Sequence, residues 1–386
     1  MARSTAKALQ TAIMLGARRK GIVIAGGGLA GSLAALALAR RRPDVPILIV
    51  EETERFGGNG FRSVFERPLG ADGHELIQPL LEHHWPGYFT AFPGGSRKFK
   101  SPLGGFEPEA VHRDMVATLR PDQYRLGTRV VAVSEDALVL DGGETVKAEG
   151  AIDARGEINL SMLDLLFEAR IERIVHLTAP HGLDRPVLID STDQDQSAGF
   201  SFVRSFPLAD KKLQVAKILV SERSQPSDSA EGQLDHYLQL RGWKPESMSA
   251  PESVTRLLPI DGDFEAFWRI GGARVAKLGV RGGFVHPATG ASVADSVRNA
   301  LLLAAQDNFS GTALHQVFEQ EARQLWKKRQ PLREYVAALK SAAPADRLAI
   351  AQRLFEAEPK LIARFQAADF GLIDRVRFRR AYAASG

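Results

Sequence analysis

The clearest alternation of apolar and polar segments lies at residues 21–52. A short apolar run of β-forming residues, Gly21-Ile-Val-Ile-Ala25, passes directly into Gly26-Gly-Gly-Leu-Ala-Gly31. Next comes Ser32-Leu-Ala-Ala-Leu-Ala-Leu-Ala-Arg-Arg-Arg42, rich in helix formers and ending in arginines, where the negative end of a helix dipole favours cations. After the turn Pro43-Asp-Val-Pro46, a second apolar run, Ile47-Leu-Ile-Val50, stops at Glu51 and Glu52. Strand, glycine turn, helix, strand and acid in this order predict a complete βαβ unit. In such a unit Gly26 permits the tight turn, Gly28 lets backbone approach a pyrophosphate, and Gly31 lets helix and strand close together. The helix N-terminus at Leu29 and Ala30 offers unpaired N–H groups to phosphates. Glu51 is spaced to accept hydrogen bonds from a ribose diol.

Beyond this unit the pattern changes character. Residues 124–133 and 137–140 read as a hairpin, and 147–156 as a strand entering a glycine turn. Runs at 186–190, 199–205 and 212–221 suit an antiparallel sheet. An apolar run at 275–283 reaches Gly282-Gly283, and His286-Pro-Ala-Thr-Gly290 precedes a helical stretch at 292–305. From 312 onward the chain reads as helical and basic. A nicotinamide dehydrogenase would continue with regular βαβ units after its first acid. Here the chain enters Phe56-Gly-Gly-Asn59 and a long loop, and the segments around Asp153 and His286 return to the dinucleotide region. That discontinuity predicts a flavin-binding domain with FAD as cofactor. Its candidate contacts are Gly26, Gly28, Leu29, Ala30, Gly31, Glu51, Gly58, Asp153, His286, Pro287, Thr289 and Gly290. His286 is expected to shape the loop over the flavin.

The predicted fold class is α/β: a discontinuous Rossmann-type FAD-binding domain (21–180 and 270–310), an antiparallel-sheet substrate domain (181–269) and a helical C-terminal region (311–386). A basic leader, 1–20, precedes them. It carries Arg3, Lys7, Arg18, Arg19 and Lys20 with basic residues following its apolar centre, the reverse of a secretory signal.

Composition narrows the chemistry. The 386-residue chain has no cysteine, which excludes disulfides, thiolate metal sites, iron–sulfur clusters and a cysteine nucleophile. Its 9 histidines are scattered and show no metal-ligand spacing, so no metal is expected. A net charge of +4 is too mild to imply nucleic acid. No apolar stretch approaches the roughly 20 residues of a membrane span, no GxSxG elbow is present, and the glycine turn lacks the Lys-Ser/Thr of a nucleotide triphosphatase loop. Arginines and lysines at 323–333 and 375–380 form either a solvated face or one drawn to an anionic leaflet.

With these motifs assembled, the chain resembles the bacterial lycopene β-cyclases, FAD-containing enzymes of the flavoprotein hydroxylase-like superfamily. The resemblance runs through Gly26-Gly-Gly-Leu-Ala-Gly31, Gly57-Gly-Asn59, His83-His-Trp-Pro-Gly-Tyr88, Ile152-Asp-Ala-Arg-Gly156, Pro180-His-Gly-Leu183, Thr192-Asp-Gln194, Gly199-Phe-Ser-Phe-Val203, His286-Pro-Ala-Thr-Gly290 and Leu361-Ile-Ala-Arg-Phe365. It implies a non-redox cyclisation of lycopene end groups in the carotenoid pathway, an intramolecular lyase or isomerase reaction. An acid protonates a terminal double bond, and reduced FAD stabilises the developing cation. It also implies a lycopene-like carotenoid or polyisoprenoid as substrate, and a cytoplasmic protein peripheral on the inner face of the cell membrane.

Departures from the family pattern fall on its chemistry. The family's Glu-Asp pair is Ala216-Lys217 here, its His-Thr-Trp is Gly60-Phe61-Arg62, the tyrosine after the His-Pro motif is Ala291, and a downstream aromatic pair is Pro331-Leu332. Loss of the glutamate removes the proton donor, and Lys217 is expected to reverse the local charge. Glu222 is the candidate replacement acid. Two alternatives stay open: a diverged paralogue that binds FAD and a polyisoprenoid without cyclising it, as a carrier or partner subunit, and an NAD(P)H-dependent flavin monooxygenase or desaturase on an apolar substrate.

Overall fold

The computed structural model describes residues 21–156 and 159–383, so the basic leader lies outside the described residues. Strand β1 (Ile22–Ala25), helix α1 (Leu29–Arg41) and strand β2 (Ile47–Val50) form the expected unit. Both strands are buried along their whole length, which is why they read as unbroken apolar runs. β1 pairs in parallel with β2 on one side and with Gly150–Asp153 on the other. Tyr124–Arg125 and Ala276–Lys277 complete a five-stranded parallel sheet at its two edges. The chain thus leaves β1 toward one edge and later returns to the other. That reversal of strand order opens a crevice at the carboxyl end of β1.

Residues 124–133 do not form one hairpin arm. Tyr124–Arg125 joins the parallel sheet, and only Val130–Val133 pairs antiparallel with Ala137–Leu140. Gly127, at φ +59°, turns the chain between the two.

A second, eight-stranded sheet stands beside the first. Leu163–Leu177 runs through it, antiparallel to Lys212–Ser221 on one edge and to Glu252–Gly262 and Pro245–Met248 on the other. Phe200–Ala209, Val187–Asp190, Tyr88–Phe92 and Gly95–Phe99 extend it. The sheet therefore draws Leu163–Leu177 and the strands at 88–99 from the stretch that the sequence grouping places with the FAD-binding domain. The pattern hid Leu163–Leu177 because Glu168, Arg170 and Glu172 occupy its buried face, where alternation would place apolar residues.

Helices Gly311–Lys328, Gln330–Ser341, Arg347–Glu356, Pro359–Ala367 and Leu372–Tyr382 follow. Their apolar faces share one core with the large sheet, Leu332, Val336, Leu354, Ile362 and Phe365 packing with Phe200, Phe202, Ile218 and Val220. A buried ion pair ties these helices to the parallel-sheet half: Arg329 Nη1 and Nη2 each lie 2.6 Å from a carboxylate oxygen of Asp295, on the helix Val293–Ala304. Among the described residues no helix is long and apolar enough to cross a membrane.

Candidate functional site

A cleft of about 1080 Å³ opens at the end of β1, at the upper limit of usual small-molecule sites, about 300–1,000 Å³. Gly26, Gly28, Leu29, Ala30, Glu51 and Gly58 line it. Gly26 sits at φ +97°, and its N–H donates to the Val50 carbonyl at 2.8 Å, closing the turn. A Cβ on Gly31 would lie 2.0 Å from the Gly26 carbonyl oxygen, whereas one on Gly28 would meet nothing within 4 Å. The first glycine is thus required by packing, and the second faces the opening. Gly28 caps α1 with extended backbone and no side-chain cap, and no acid occupies the first helical turn. The N–H groups of that turn and the dipole remain directed at the cleft.

Glu51 is held rigidly at the rim. Its carboxylate accepts from the Gly27 N–H at 2.6 Å and from the Thr53 N–H and hydroxyl at 2.9 Å each. The loop carrying Gly57 and Gly58 closes onto the same turn: the Gly57 N–H donates to the Gly27 carbonyl at 2.8 Å, and both glycines have positive φ. The far wall consists of Arg129, Val130, Arg155, Gly279, Val280, Arg281, Ser292 and Ser296, with Ser253, Val254 and Thr255 entering from the large sheet.

Several sequence candidates stand behind this wall. Asp153 is fully buried and lies between Arg155 and Arg281 at 2.8 and 3.3 Å. Its part is to position those two arginines, both of which reach the cleft. His286 is buried as well; Nε2–H donates to the Phe365 carbonyl at 2.7 Å, and Nδ1 accepts from the Ala288 N–H. Burial brings its pKa down to about 4, so the ring is neutral and serves as a strut between its loop and the C-terminal helices. Thr289 closes that loop from its N–H to the His286 carbonyl, and Pro287 lies within it. Gly290, at φ +60°, packs against the Arg256 side chain. None of His286, Pro287, Thr289 and Gly290 is among the cleft-lining residues.

The face of the large sheet turned toward this region is densely charged. Across the register Ala216 stands opposite Glu172 on one neighbouring strand and Arg204 on the other. Glu172 itself stands opposite Glu252, and Glu168 opposite Arg256. Arg170 Nε lies 2.8 Å from Glu172 Oε2. The Glu168 carboxylate is ringed by Arg170, Arg204 and Arg256 at 3.5–3.7 Å. Burial works to raise the Glu168 pKa, but the arginines hold it below the usual carboxylate range. Glu172 also accepts from the Phe61 N–H at 2.9 Å, and Glu252 from the Gly60 N–H at 3.1 Å. These contacts join the sheet to the loop that lines the cleft.

Two expectations about the substituted acid pair need correction. Neighbours on a strand point to opposite faces, so Lys217 points away from Ala216. Its ammonium donates to the Ser201 hydroxyl at 2.7 Å and to Gln194, and burial brings its pKa down to about 8. It does not charge the Ala216 face; the arginines do. Glu222 is paired with Arg347, whose hydrogen bonds hold the carboxyl below its ordinary pKa. An ionised, paired carboxylate is unsuited to donate a proton at neutral pH. The sequence reading missed Arg170, Arg204 and Arg256, and the available signal was the charged residues spaced by two at 168, 170 and 172.

Comparison with known proteins gives this arrangement its context. The family model described as lycopene cyclase protein matches residues 21–383. This chain belongs to the lycopene cyclase family. Lycopene β-cyclase of Pantoea ananas is 31% identical over 358 residues, covering 92% of this chain and 93% of the relative. Lycopene β-cyclase of Pseudescherichia vulneris is 28% identical over 92% of each chain. Among solved structures, a geranylgeranyl bacteriochlorophyll reductase-like protein of Thermoplasma acidophilum superposes with a TM-score of 0.60 at 13% identity, over 95% of this chain and 97% of that one. A flavin-dependent halogenase of Xanthomonas campestris gives a TM-score of 0.60 at 14% identity, over 94% and 95%. This lycopene cyclase-family chain therefore has the flavoprotein fold that its cleft suggested.

Proposed function

We propose that this lycopene cyclase-family protein holds FAD in the β1 cleft and acts on the end group of a carotenoid-like polyisoprenoid. The observation that carries the reading is the open space over Gly28 at the uncapped start of α1, within a chain matching the family over 21–383. The residues present fit the cofactor: the first-turn N–H groups suit a diphosphate, Glu51 suits a ribose diol, and Arg155 and Arg281 add positive charge along the wall. When bound and reduced, FAD would supply negative charge beside a developing carbocation. The chain's own part is to hold the diphosphate and to supply a proton. Glu252, an exposed residue whose carboxyl accepts from the Gly60 N–H beside the cleft, is the acid proposed for the last task, because partial desolvation and the neighbouring Glu172 raise its pKa. A cyclisation then starts from this carboxyl in place of Glu222.

Ala216 favours a second reading, a family member that binds flavin and polyisoprenoid without cyclising it. Expression in lycopene-accumulating bacteria separates the two: β-carotene supports cyclisation, and unchanged lycopene with a yellow protein supports the second. Oxygen-dependent NAD(P)H consumption with an apolar substrate would replace both by a monooxygenase. Gly28→Val tests the cofactor itself. Backbone at φ −63° and ψ −173° accepts valine, so the variant should fold and purify colourless; a yellow holoprotein would refute the placement.

A peripheral membrane position belongs to the same proposal. Leu372, Ile373 and Val376 are exposed and share one helical face with Arg377 and Arg380, an arrangement suited to an anionic bilayer surface. Ile373→Glu should reduce co-flotation with phosphatidylglycerol vesicles.

A further inference from the structure

Two glutamates stand beside the vacancy at Ala216. Register places Ala216, Glu172 and Glu252 in one row across three adjacent strands. Side chains directly opposite on neighbouring strands have Cβ atoms about 4.5–5.5 Å apart, and like charges there are destabilising. The surroundings of the two carboxyls are unlike. Glu172 is 4% exposed; the Phe61 N–H and the Gln214 side-chain amide donate to it at 2.9 and 3.2 Å, and Arg170 Nε lies 2.8 Å away. Glu252 is exposed and accepts from the Gly60 N–H at 3.1 Å. Consecutive N–H groups of one loop thus hold both carboxyls, and a Cβ on Gly60 would fall 2.8 Å from Glu172 Oε1. The same loop reaches the cleft, where its Gly57 N–H bonds the glycine turn.

Two carboxyls in unlike surroundings divide their protons unevenly. The member with more donors is the better anion, and its charge favours a proton on the other. Partial desolvation and Glu172 raise the Glu252 pKa, while the Gly60 N–H, Arg62 and Arg170 work to lower it. We infer that Glu172 is a positioning residue for the proposed acid: a fixed anion that keeps the proton on Glu252 and seats the loop bearing Gly60 against it. Glu172 is not among the residues lining the cleft, so it acts through Glu252. The inference rests on the proposed acid role of Glu252 and says what keeps that exposed carboxyl loaded. Once the proton leaves, two carboxylates remain in the row, and their negative charge favours a cation formed beside them.

The test uses the purified holoprotein with its glutamate carboxyls labelled with carbon-13 and titrated by NMR. The Glu252 signal is the one lost in Glu252→Gln, and its midpoint should lie above the ordinary 4.5. Glu172→Gln keeps an acceptor for the Phe61 N–H but removes the charge. It should lower the Glu252 midpoint by about one pH unit, about a tenfold change in proton affinity. Glu172→Ala removes the acceptor as well, so amide exchange at Phe61 should rise about tenfold there and stay near the wild-type rate in Glu172→Gln. Should Glu172→Gln fail to fold, because Arg170 loses its partner, Glu172→Asp decides. It keeps the ion pair but draws the charge back by one methylene, and the midpoint should fall by less. An unchanged midpoint in the variant that folds overturns the inference. In cyclisation of lycopene by the holoprotein, the alkaline limb of the pH profile should move to lower pH together with the midpoint. A limb that stays in place while the midpoint falls would overturn the acid role of Glu252 and leave its coupling to Glu172 standing.

Discussion

The turn at Gly26 to Gly31 and the charged face around Ala216 flank one region, and they achieve polarity by opposite means. The turn works with backbone: helix N–H groups left uncapped by Gly28, a glycine whose absent side chain keeps the cleft open, and Glu51 fixed by main-chain donors. The face works with buried side chains, arginines and glutamates set opposite one another across three strands. Backbone donors are lost only by substitution with proline, so otherwise the turn changes function only when a side chain is added. Buried ion pairs depend on each partner, so a single change on the face alters both stability and the ligand it suits. One region is therefore fixed in its ligand class, and the other is where this chain can diverge within its family.

The sharpest way to break the comparison is Gly31→Val. Its Cβ would fall 2.0 Å from the Gly26 carbonyl, so the strand and helix must separate; a loss of about 4 kcal/mol or more is expected in urea unfolding. Next comes Glu168→Gln, which leaves Arg170, Arg204 and Arg256 without their shared carboxylate. This should cost about 3 kcal/mol while flavin content of the folded fraction stays at the wild-type level. A loss of flavin would mean the two regions are not separable.

A smaller effect tests the strut that joins the two halves. His286 has a folded pKa of about 4 against an ordinary value of 6.5. As pH falls, the unfolded chain takes up its proton first, so stability drops between these two values and is unaffected above them. Between pH 7 and pH 5 the loss should be about 2 kcal/mol from this group, and His286→Gln should flatten that part of the profile. An equally steep profile in the variant would assign the titration elsewhere. The smallest effect is expected for Glu222→Gln. The side chain is 51% exposed, and Arg347 keeps the Lys340 carbonyl, so about 1 kcal/mol is expected, with pigment chemistry unaltered.

The sequence alone determined the βαβ unit, because its signals are local. An apolar run buried on both faces, glycines at spacings set by backbone geometry, and an acid ending the next strand all lie within 21–52. It also exposed the vacancy at 216, since a missing carboxyl is visible without any fold. Tertiary structure decided what surrounds that vacancy. Arg170, Arg204 and Arg256 lie on three different strands far apart in the chain, and only strand register places them on one face. Register likewise turned Lys217 to the opposite, buried face of the sheet, and the C-terminal helix bearing Arg347 neutralised Glu222. Hydrogen bonding between distant strands fixes which side chains meet, and that choice is written in no single stretch of the chain.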